Sequence, residues 1–248
     1  MGSSDTIILD KLKEVVVEGR SITLLDEGIY TALDGKSLHH QYDKKAAIYD
    51  FLVSSHLYNR LVWGDSPHNY GAFAYQGVKS HQGGLVLDAG CGSLLFTAKA
   101  HLECDRLVIA CDQSIDMLRR AQKRLMKLGG GRRGRIILLQ ADISDFPFHA
   151  SSFQTVLCMN VLHHHSDAAG LIRHLKASLA DKGQLYLTSL VKNNRPIGDR
   201  YLNLLYKNGW IVRPRSSAEL KSLSQDLLGA FPGYKTRGNM AYVTTDMR

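Results

Sequence analysis

The sequence predicts an α/β protein with a doubly wound, mostly parallel sheet of seven strands and an N-terminal helical cap. Strand-like and helix-like patterns alternate from about residue 83 onward, which is typical of a parallel sheet covered on both faces. The apolar run at residues 85–87 ends in Asp88 and the turn Gly90-Cys91-Gly92, as expected where a buried strand meets a loop. We therefore expect a cap or lid over residues 1–82 and a core over residues 83–248.

The core elements follow from apolar periodicity and from capping residues at the helix ends. Ser114 and Asp167 are predicted N-caps, either Ser216 or Ser217 caps the last helix, and Gly129 is a predicted stop. The predicted strands are Leu85–Asp88, Arg106–Cys111, Arg135–Gln140, Phe153–Met159, Gln184–Leu190, Gly233–Thr236 and Met240–Thr244. The predicted helices are Leu94–Leu102, Ser114–Leu128, Asp167–Ala180 and Ser217–Leu228.

The first 82 residues do not follow this alternation. Residues 7–17 and 42–57 have helical patterns, residues 21–30 are strand-like, and Asp34-Gly35 is a hairpin signal. Aromatic residues are frequent between Tyr58 and Tyr75. We interpret this region as a lid over the carboxyl edge of the sheet.

The chain of 248 residues carries a net charge of +8, with 31 basic and 23 acidic side chains. Much of the excess lies between Arg119 and Arg135, on a predicted helix and the glycine turn after it. This segment is either a solvated helix face or a contact for RNA or phospholipid.

The four cysteines are scattered without the CxxC spacing of zinc sites, and buried reduced thiols are the simpler interpretation. No apolar run approaches the ~20 residues of a membrane helix, and the first residues do not resemble a signal peptide. We expect a cytoplasmic protein without a transmembrane segment or a metal site, and a homodimer is one expected assembly.

Three aspartates each follow an apolar run, namely Asp88, Asp112 and Asp142. Because carboxyl ends of parallel strands share one edge, these acids are expected in one crevice. Asp112 comes twenty positions after Gly92, a spacing at which a carboxylate accepts hydrogen bonds from a ribose diol.

The nucleoside ligand is better explained as S-adenosylmethionine than as a dinucleotide. The dinucleotide fingerprint requires GxGxxG, and this chain has leucine at position 95 where the third glycine of that pattern belongs. Asp88 would also repel a pyrophosphate, whereas it suits a ligand with a sulfonium and an ammonium.

These motifs resemble those of class I S-adenosylmethionine-dependent methyltransferases, over about residues 42–190. Leu-Asp-Ala-Gly-Cys-Gly at 87–92 is similar to the first motif, Ala110–Ser114 with Met117 to the second, and Ala141–Ile143 to the third. The family's frequent third glycine is Leu94 here. Tyr42–Asp50 resembles the opening helix of small-molecule members, including the ubiquinone and menaquinone biosynthesis group.

The resemblance implies a Rossmann-like methyltransferase fold, S-adenosyl-L-methionine as cofactor and S-adenosyl-L-homocysteine as product. Gly90 and Gly92 would lie beneath the methionine part, Asp112 would bind the ribose, and the Asn160 region would line the methyl end. The full set of implied cofactor-binding residues is Tyr42, Asp88, Gly90, Gly92, Asp112, Gln113, Met117, Asp142, Ile143 and Asn160.

Several of these residues also have purely structural interpretations. Asp88 could cap the following turn, Asp112 could cap the helix near Ser114, and Asp142 could hold a loop amide. Tyr42 could be ordinary packing. The structural and cofactor interpretations stay open at this point.

His163 and His164 are the candidate catalytic residues, because they follow the fourth strand near the expected methyl position. An ordinary histidine pKa suits proton removal from an acidic hydroxyl or carbon acid. Family members often use histidines here only to hold the loop, and adjacent side chains diverge too much for a good metal site.

The acceptor is expected to be an oxygen or carbon of a small, partly apolar or aromatic metabolite. The Asp/Asn-Pro-Pro-Tyr/Phe tetrapeptide of many amino-group methylators is replaced by Asn160-Val161-Leu162-His163. Aromatic residues before the first core strand and after the fifth could wall an apolar pocket, namely Tyr58, Trp63, Tyr70, Phe73, Tyr75, Tyr201, Tyr206 and Trp210. Lys192, Arg195 and Arg200 could hold an anionic substrate group or lie on the surface.

Two alternatives to a small-molecule enzyme remain. An RNA methyltransferase would use the basic segment 119–135. A non-catalytic protein could bind the cofactor and act only through interactions with partners.

Overall fold

The computed structural model describes residues 3–33, 55–129, 135–229 and 232–245. These residues form one sheet of nine strands. The strands are β1 (Thr23–Asp26), β2 (Ile29–Thr31), β3 (Val86–Ala89), β4 (Val108–Asp112), β5 (Ile136–Gln140), β6 (Phe153–Met159), β7 (Leu179–Leu190), β8 (Gly233–Arg237) and β9 (Met240–Thr244).

The strand order is β1-β2-β5-β4-β3-β6-β7-β9-β8. All neighbours from β2 to β7 are parallel, whereas β9 is antiparallel to both β7 and β8. The predicted mostly parallel sheet and its antiparallel closing pair are therefore confirmed. The sheet has nine strands where seven were predicted, because β1 and β2 extend it. The carboxyl ends of β3, β4, β5 and β6 consequently meet at one edge.

Helices cover both faces of the sheet. They are α1 (Ser3–Val15), α2 (Pro67–Lys79), α3 (Ala98–Leu102), α4 (Ile115–Gly129), α5 (Ala168–Ala177), α6 (Pro196–Lys207) and α7 (Ser217–Leu228), with shorter helical turns at 56–63, 143–145 and 162–164. Alternate strand residues point to opposite faces, so Leu87 packs in the core beneath α1, α5 and α7. Val86 packs in the second core with side chains of α2 and α6.

The predicted helix caps are present as hydrogen bonds. The Asp167 carboxylate accepts from Gly170 N at 2.7 Å, and the Ser216 hydroxyl accepts from Glu219 N at 3.1 Å. Ser114 Oγ likewise accepts from Met117 N at 3.3 Å. These bonds satisfy backbone N–H groups that have no partner inside the first helical turn.

The N-terminal region differs from the prediction in one respect. Residues 23–31 form a hairpin whose turn is at Glu27-Gly28, and β2 extends the sheet by pairing with β5. Tyr30 is fully buried there, so β2 is part of the core, whereas β1 is largely exposed. The Asp34-Gly35 hairpin signal lies outside the described residues, and the division at residue 83 stays a prediction.

The four cysteines are free, with Cys104, Cys111 and Cys158 buried and Cys91 half-buried. Burial raises the pKa of the Cys111 and Cys158 thiols, so these side chains behave as small apolar groups. Over the described ranges, no helix combines the length and apolar character needed to cross a bilayer.

Gly77 allows α2 to lie directly on the sheet. A Cβ atom at this position would be 2.8 Å from Leu157 Cδ2 and 2.8 Å from Tyr186 Cγ, which are side chains of the central strands β6 and β7. A methyl group at Gly77 would therefore have to displace the helix or rotate two buried side chains.

We expect Gly77→Ala to lower the free energy of unfolding by about 1–3 kcal/mol, because overpacking outweighs the gain in helix propensity. Chemical denaturation measures this change. Gly71→Ala in the same helix is the matched control, because its Cβ would meet only Phe96 O at 3.7 Å. That control should be neutral or stabilising by up to about 1 kcal/mol, and equal effects of the two variants would contradict the packing argument.

Candidate active site

A cavity of about 670 Å³ opens at the carboxyl edge of the sheet. One side is formed by the loops that follow β3, β4, β5 and β6, and the other side by residues 58–67 and α6. Eleven of the predicted site residues line it: Asp88, Gly90, Gly92, Asp112, Gln113, Met117, Asp142, Ile143, Asn160, His163 and His164. Tyr42 lies outside the described residues.

The turn after β3 has the backbone shape that its glycines predict. Gly90 has φ +71°, and a Cβ there would be 2.5 Å from Val161 Cγ2. Gly92 has φ +53°, and a Cβ there would meet no atom within 4 Å, so its backbone is open to the cavity. Leu94, in place of the third glycine, also has φ +54°, although leucine rarely adopts this conformation. Its side chain is buried, and this packing compensates for the strain.

Asp112 connects two of these loops. Its Oδ2 accepts from Gly92 N at 2.8 Å, and its Oδ1 accepts from Ser114 N at 2.9 Å. The interpretation of Asp112 as a cap for the helix near Ser114 is therefore confirmed. Each carboxylate oxygen keeps a second lone pair that can accept a hydrogen bond from a ligand. Burial raises the pKa of Asp112 to about 6, and the nearby Asp88 charge acts in the same direction.

Asp88 is fully buried at the end of β3 and also lines the cavity. Its Oδ2 lies 2.8 Å from His101 Nε2, and its Oδ1 has no hydrogen-bond partner among the described residues. Asn160, at φ +64°, also has a buried side-chain oxygen without a partner there. Two unpaired acceptors thus lie in the wall of the same cavity.

A third unpaired acceptor was not predicted from the sequence. Thr97 precedes α3, lines the cavity, and its buried hydroxyl has no partner within the described ranges. Phe96 beside it contacts Tyr70 with ring centroids 4.8 Å apart. Neither residue belongs to a spacing pattern, so no sequence signal marked them.

The opposite end of the loop edge is less polar. Met117 and Ile143 are buried apolar residues of the cavity wall. Asp142 Oδ1 accepts from Ser144 N at 2.8 Å, so its role in holding a loop amide is realised. Gln113 is exposed, and its carbonyl accepts from Gln140 Nε2 at 3.0 Å.

The three histidines follow β6 in a tight turn and differ in their contacts. His163 is 3% exposed, and its Nδ1 has no partner in the described part of the chain. The His164 ring bonds the Trp210 backbone, and His165 Nδ1 lies 3.0 Å from Ser144 Oγ. Burial lowers the pKa of all three, well below the usual range for His163 and to about 4 for His164, so they are neutral at pH 7.

Arg215 holds this turn and was not predicted. It is 4% exposed and donates to the carbonyls of Leu162 at 3.2 Å, His165 at 2.9 Å and Ser166 at 3.2 Å. A guanidinium with several donors in one plane suits three convergent carbonyls. Arg215 comes some fifty residues after the turn, so sequence spacing gave no indication of it.

Aromatic rings form the wall opposite the loops. Tyr58, Trp63 and Tyr201 contact one another edge to face, with centroids 5.4–6.4 Å apart. Of the other predicted aromatics, Tyr70 and Trp210 line the cavity; Phe73, Tyr75 and Tyr206 are not among the lining residues. Phe73 packs on Tyr186 and Tyr242, while Tyr75 and Tyr206 are exposed. Lys192, Arg195 and Arg200 are likewise not part of the lining.

Asp65 is a further lining residue that the sequence did not indicate. Its Oδ1 accepts from Ser66 N at 2.8 Å and from Asn69 Nδ2 at 2.7 Å, and its Oδ2 accepts from the Tyr242 hydroxyl. These bonds fix the start of α2 to strand β9 and so position the aromatic wall.

Residues 86–183 match the family model described as "Methyltransferase domain". The tRNA U34 carboxymethyltransferase of Aeromonas salmonicida is 33% identical over 144 residues, covering 56% of this chain and 42% of that protein. An uncharacterised chloroplastic methyltransferase of Arabidopsis thaliana is 29% identical over 146 residues, covering 58% and 38%. The matches therefore span less than half the length of these curated relatives.

Solved structures show the same fold. A phosphoethanolamine N-methyltransferase of Haemonchus contortus, in complex with S-adenosylhomocysteine, superposes with a TM-score of 0.61 at 16% identity, covering 79% of this chain and 44% of that chain. Magnesium protoporphyrin IX methyltransferase of Synechocystis, with bound S-adenosylhomocysteine, gives 0.52 at 22% identity, covering 80% and 97%. The predicted Rossmann-like fold is confirmed, and residues 86–183 of this fold match a methyltransferase domain.

Proposed function

We propose that this protein transfers a methyl group from S-adenosylmethionine to an oxygen or carbon of a small, partly apolar or aromatic metabolite. The observation that carries the proposal is that one cavity contains the glycine turn, Asp88 and Asp112, the aromatic wall and His163. Its volume of about 670 Å³ is within the range of pockets that enclose small ligands.

The polar groups of the loop edge fit the cofactor. Asp112 has lone pairs for the two ribose hydroxyls, while Met117 and Ile143 provide apolar contacts for the adenine. The unpaired acceptors of Asp88, Thr97 and Asn160 suit the ammonium of the methionine part, because buried acceptors without donors are costly. When bound, S-adenosylmethionine supplies a methyl group activated by the sulfonium.

The protein's own contribution is positioning and exclusion of water. In-line displacement requires the acceptor atom near 3 Å from the methyl carbon. The mutual edge-to-face packing of Tyr58, Trp63 and Tyr201 provides a rigid apolar wall against which a planar acceptor can be held. His163, neutral and with an unpaired Nδ1, is placed to accept a hydrogen bond from that acceptor. Burial lowers its pKa well below the usual range, so His163 is a weaker base than the ordinary histidine expected from the sequence.

The charge of the cavity favours neutral or cationic ligands. Four aspartates line it, at positions 65, 88, 112 and 142, and no lysine or arginine is among its described lining residues. A carboxymethyl group carries an additional carboxylate, and none of the described lining residues is a lysine or arginine that could pair with it. We therefore propose methyl transfer, in contrast to the carboxymethyl transfer named for several curated relatives.

An RNA acceptor is the second candidate, because those relatives are named for tRNA. Lys123 and Lys127 on α4 are exposed and free to approach phosphates. Three other cations of the basic segment have intramolecular partners: Arg119 bonds Asp26 at 3.1 Å, Arg124 donates to Ser93 O, and Arg135 bonds Asp105 at 2.7 Å. This pairing favours the small-molecule acceptor.

Cofactor affinity is expected to depend on pH through Asp112. Because the pKa of Asp112 is raised to about 6, its carboxylate is mostly protonated at pH 5 and loses acceptor capacity. Calorimetry should show S-adenosylhomocysteine binding about tenfold more weakly at pH 5 than at pH 7.5. Asp112→Asn should bind weakly at both pH values, and a wild-type affinity independent of pH would remove the ribose assignment.

The raised pKa of Asp112 affects the stability of the unliganded protein in the opposite direction: low pH weakens cofactor binding but favours the folded state. The folded pKa lies above the ordinary value of 3.8, so the ionised form is disfavoured by folding. The contribution of Asp112 to stability is thus present at low pH and lost as the pH rises through 6. Asp112→Asn should abolish this part of the pH dependence in denaturation experiments.

The reaction itself is tested with S-adenosylmethionine and two acceptor pools, one of small metabolites and one of total tRNA. We expect formation of S-adenosylhomocysteine and a mass increase of one methyl group in the metabolite pool only. Turnover with tRNA alone, lost at moderate salt, would support the second candidate instead. A carboxylated analogue of the cofactor should support no transfer, and cofactor binding without turnover on any acceptor would indicate a non-catalytic protein.

The histidine turn is tested by substitution. His163→Ala should lower kcat by about tenfold or more while leaving the affinity for S-adenosylhomocysteine within about twofold, because a hydrogen bond to the acceptor and not cofactor binding is removed. His165→Ala is the matched control, since this ring bonds Ser144 Oγ. Full activity of His163→Ala, or equal losses in both variants, would leave the turn a purely structural role.

A further inference from the structure

The imidazole of His101 lies directly behind Asp88. His101 belongs to α3, is 1% exposed, and does not line the cavity. Its Nε2 is 2.8 Å from Asp88 Oδ2, and both side chains are inaccessible to solvent. Because a carboxylate oxygen only accepts hydrogen bonds, Nε2 is the donor of this pair.

This contact compensates for the burial of Asp88. A carboxylate taken out of water without a donor is strongly disfavoured, and His101 is the one donor that the described side chains offer to Oδ2. His101 Nδ1 has no partner among the described residues, so a second ring proton would be a buried, unpaired donor. The ring is therefore arranged to donate once, to Asp88.

The contact also determines the direction of the carboxylate. With Oδ2 held by His101, Oδ1 is the oxygen left unpaired, and Asp88 reaches the cavity. Thr97 immediately precedes α3 and lies one helical turn before His101, on the same side. Thr97 lines the cavity, and its hydroxyl has no partner among the described residues. One short helix thus supports Asp88 from behind, and the residue before it places a second unpaired oxygen in the wall of the same cavity.

We propose that His101 is a positioning residue that fixes the Asp88 carboxylate so that Oδ1 receives the ammonium group of the cofactor. This inference rests on the proposed function. It assigns a role to a residue outside the motifs and outside the cavity lining. It also predicts that loss of His101 affects one part of the cofactor only.

Two probes separate the parts of the cofactor. S-adenosylhomocysteine carries the ammonium, whereas 5′-methylthioadenosine keeps the adenosine and thioether but lacks the amino-acid part. By calorimetry, His101→Leu should weaken the binding of S-adenosylhomocysteine by roughly 10- to 100-fold, which is the range for hydrogen bonds to charged groups. The affinity for 5′-methylthioadenosine should stay within about twofold of the wild-type value. His101→Gln, whose amide nitrogen reaches about as far as Nε2, should restore most of the affinity.

Cys104→Ala, a buried residue that follows α3 and does not line the cavity, is the matched packing control and should change neither affinity. In an Asp88→Asn background, His101→Leu should have little further effect, because the two residues act as a unit. Equal losses of both probes, or an unchanged affinity for S-adenosylhomocysteine, would overturn the assignment.

If His101→Leu does not fold, His101→Gln and His101→Asn replace it. The longer amide should bind S-adenosylhomocysteine more tightly than the shorter one, and the reverse order would contradict the proposal. A wild-type protein that binds neither S-adenosylhomocysteine nor S-adenosylmethionine would instead remove the proposed function itself.

Discussion

Asp112 accepts hydrogen bonds from Gly92 N and Ser114 N, and these two bonds join the loop after β3 to the loop after β4. The loops would otherwise be independent surface segments at the ends of neighbouring strands. Joined in this way, the glycine turn keeps its open backbone against the cavity, and α4 begins at a fixed position. The raised pKa of Asp112 is the cost of placing the carboxylate there, since burial opposes its ionisation.

The same region keeps polar atoms that the fold leaves unsatisfied. Buried acceptors of Asp88, Thr97 and Asn160 lack partners in the described chain, and each such group costs about 1–3 kcal/mol. Arg215, by contrast, donates its buried guanidinium to three carbonyls. Unpaired groups that share one cavity wall are expected where a ligand completes the hydrogen bonding.

The fold and the candidate cofactor residues could be predicted largely because their signals are local. The apolar runs before Asp88, Asp112 and Asp142 are visible in any short window, and Ser216 and Asp167 mark helix starts by their own side chains. Leu94 replaces the third glycine of the family's first motif and still has a positive φ of 54°.

The features that could not be predicted depend on contacts between distant segments. Helix α6 contains two tyrosines, Tyr201 and Tyr206, which the sequence analysis assigned to a pocket wall and not to a helix, and β2 is only three residues long. His101 is recognisable only when α3 is placed behind β3, since nothing in a single sequence connects a helix histidine to an aspartate thirteen residues earlier. Arg215 and Thr97 were missed for the same reason, and Tyr42 lies outside the described residues.

The pairing of β2 with β5 has a consequence for biosynthesis. Residues 29–31 pair with residues 138–140, so the ribosome must make most of the intervening chain before this side of the sheet can close. Contacts of such large sequence separation form slowly, and domains otherwise begin to fold from the N-terminus as they emerge. Tyr30, buried in the finished protein, is thus exposed on the nascent chain until β5 arrives. The hairpin is therefore synthesised well before the strand that completes its pairing in the sheet.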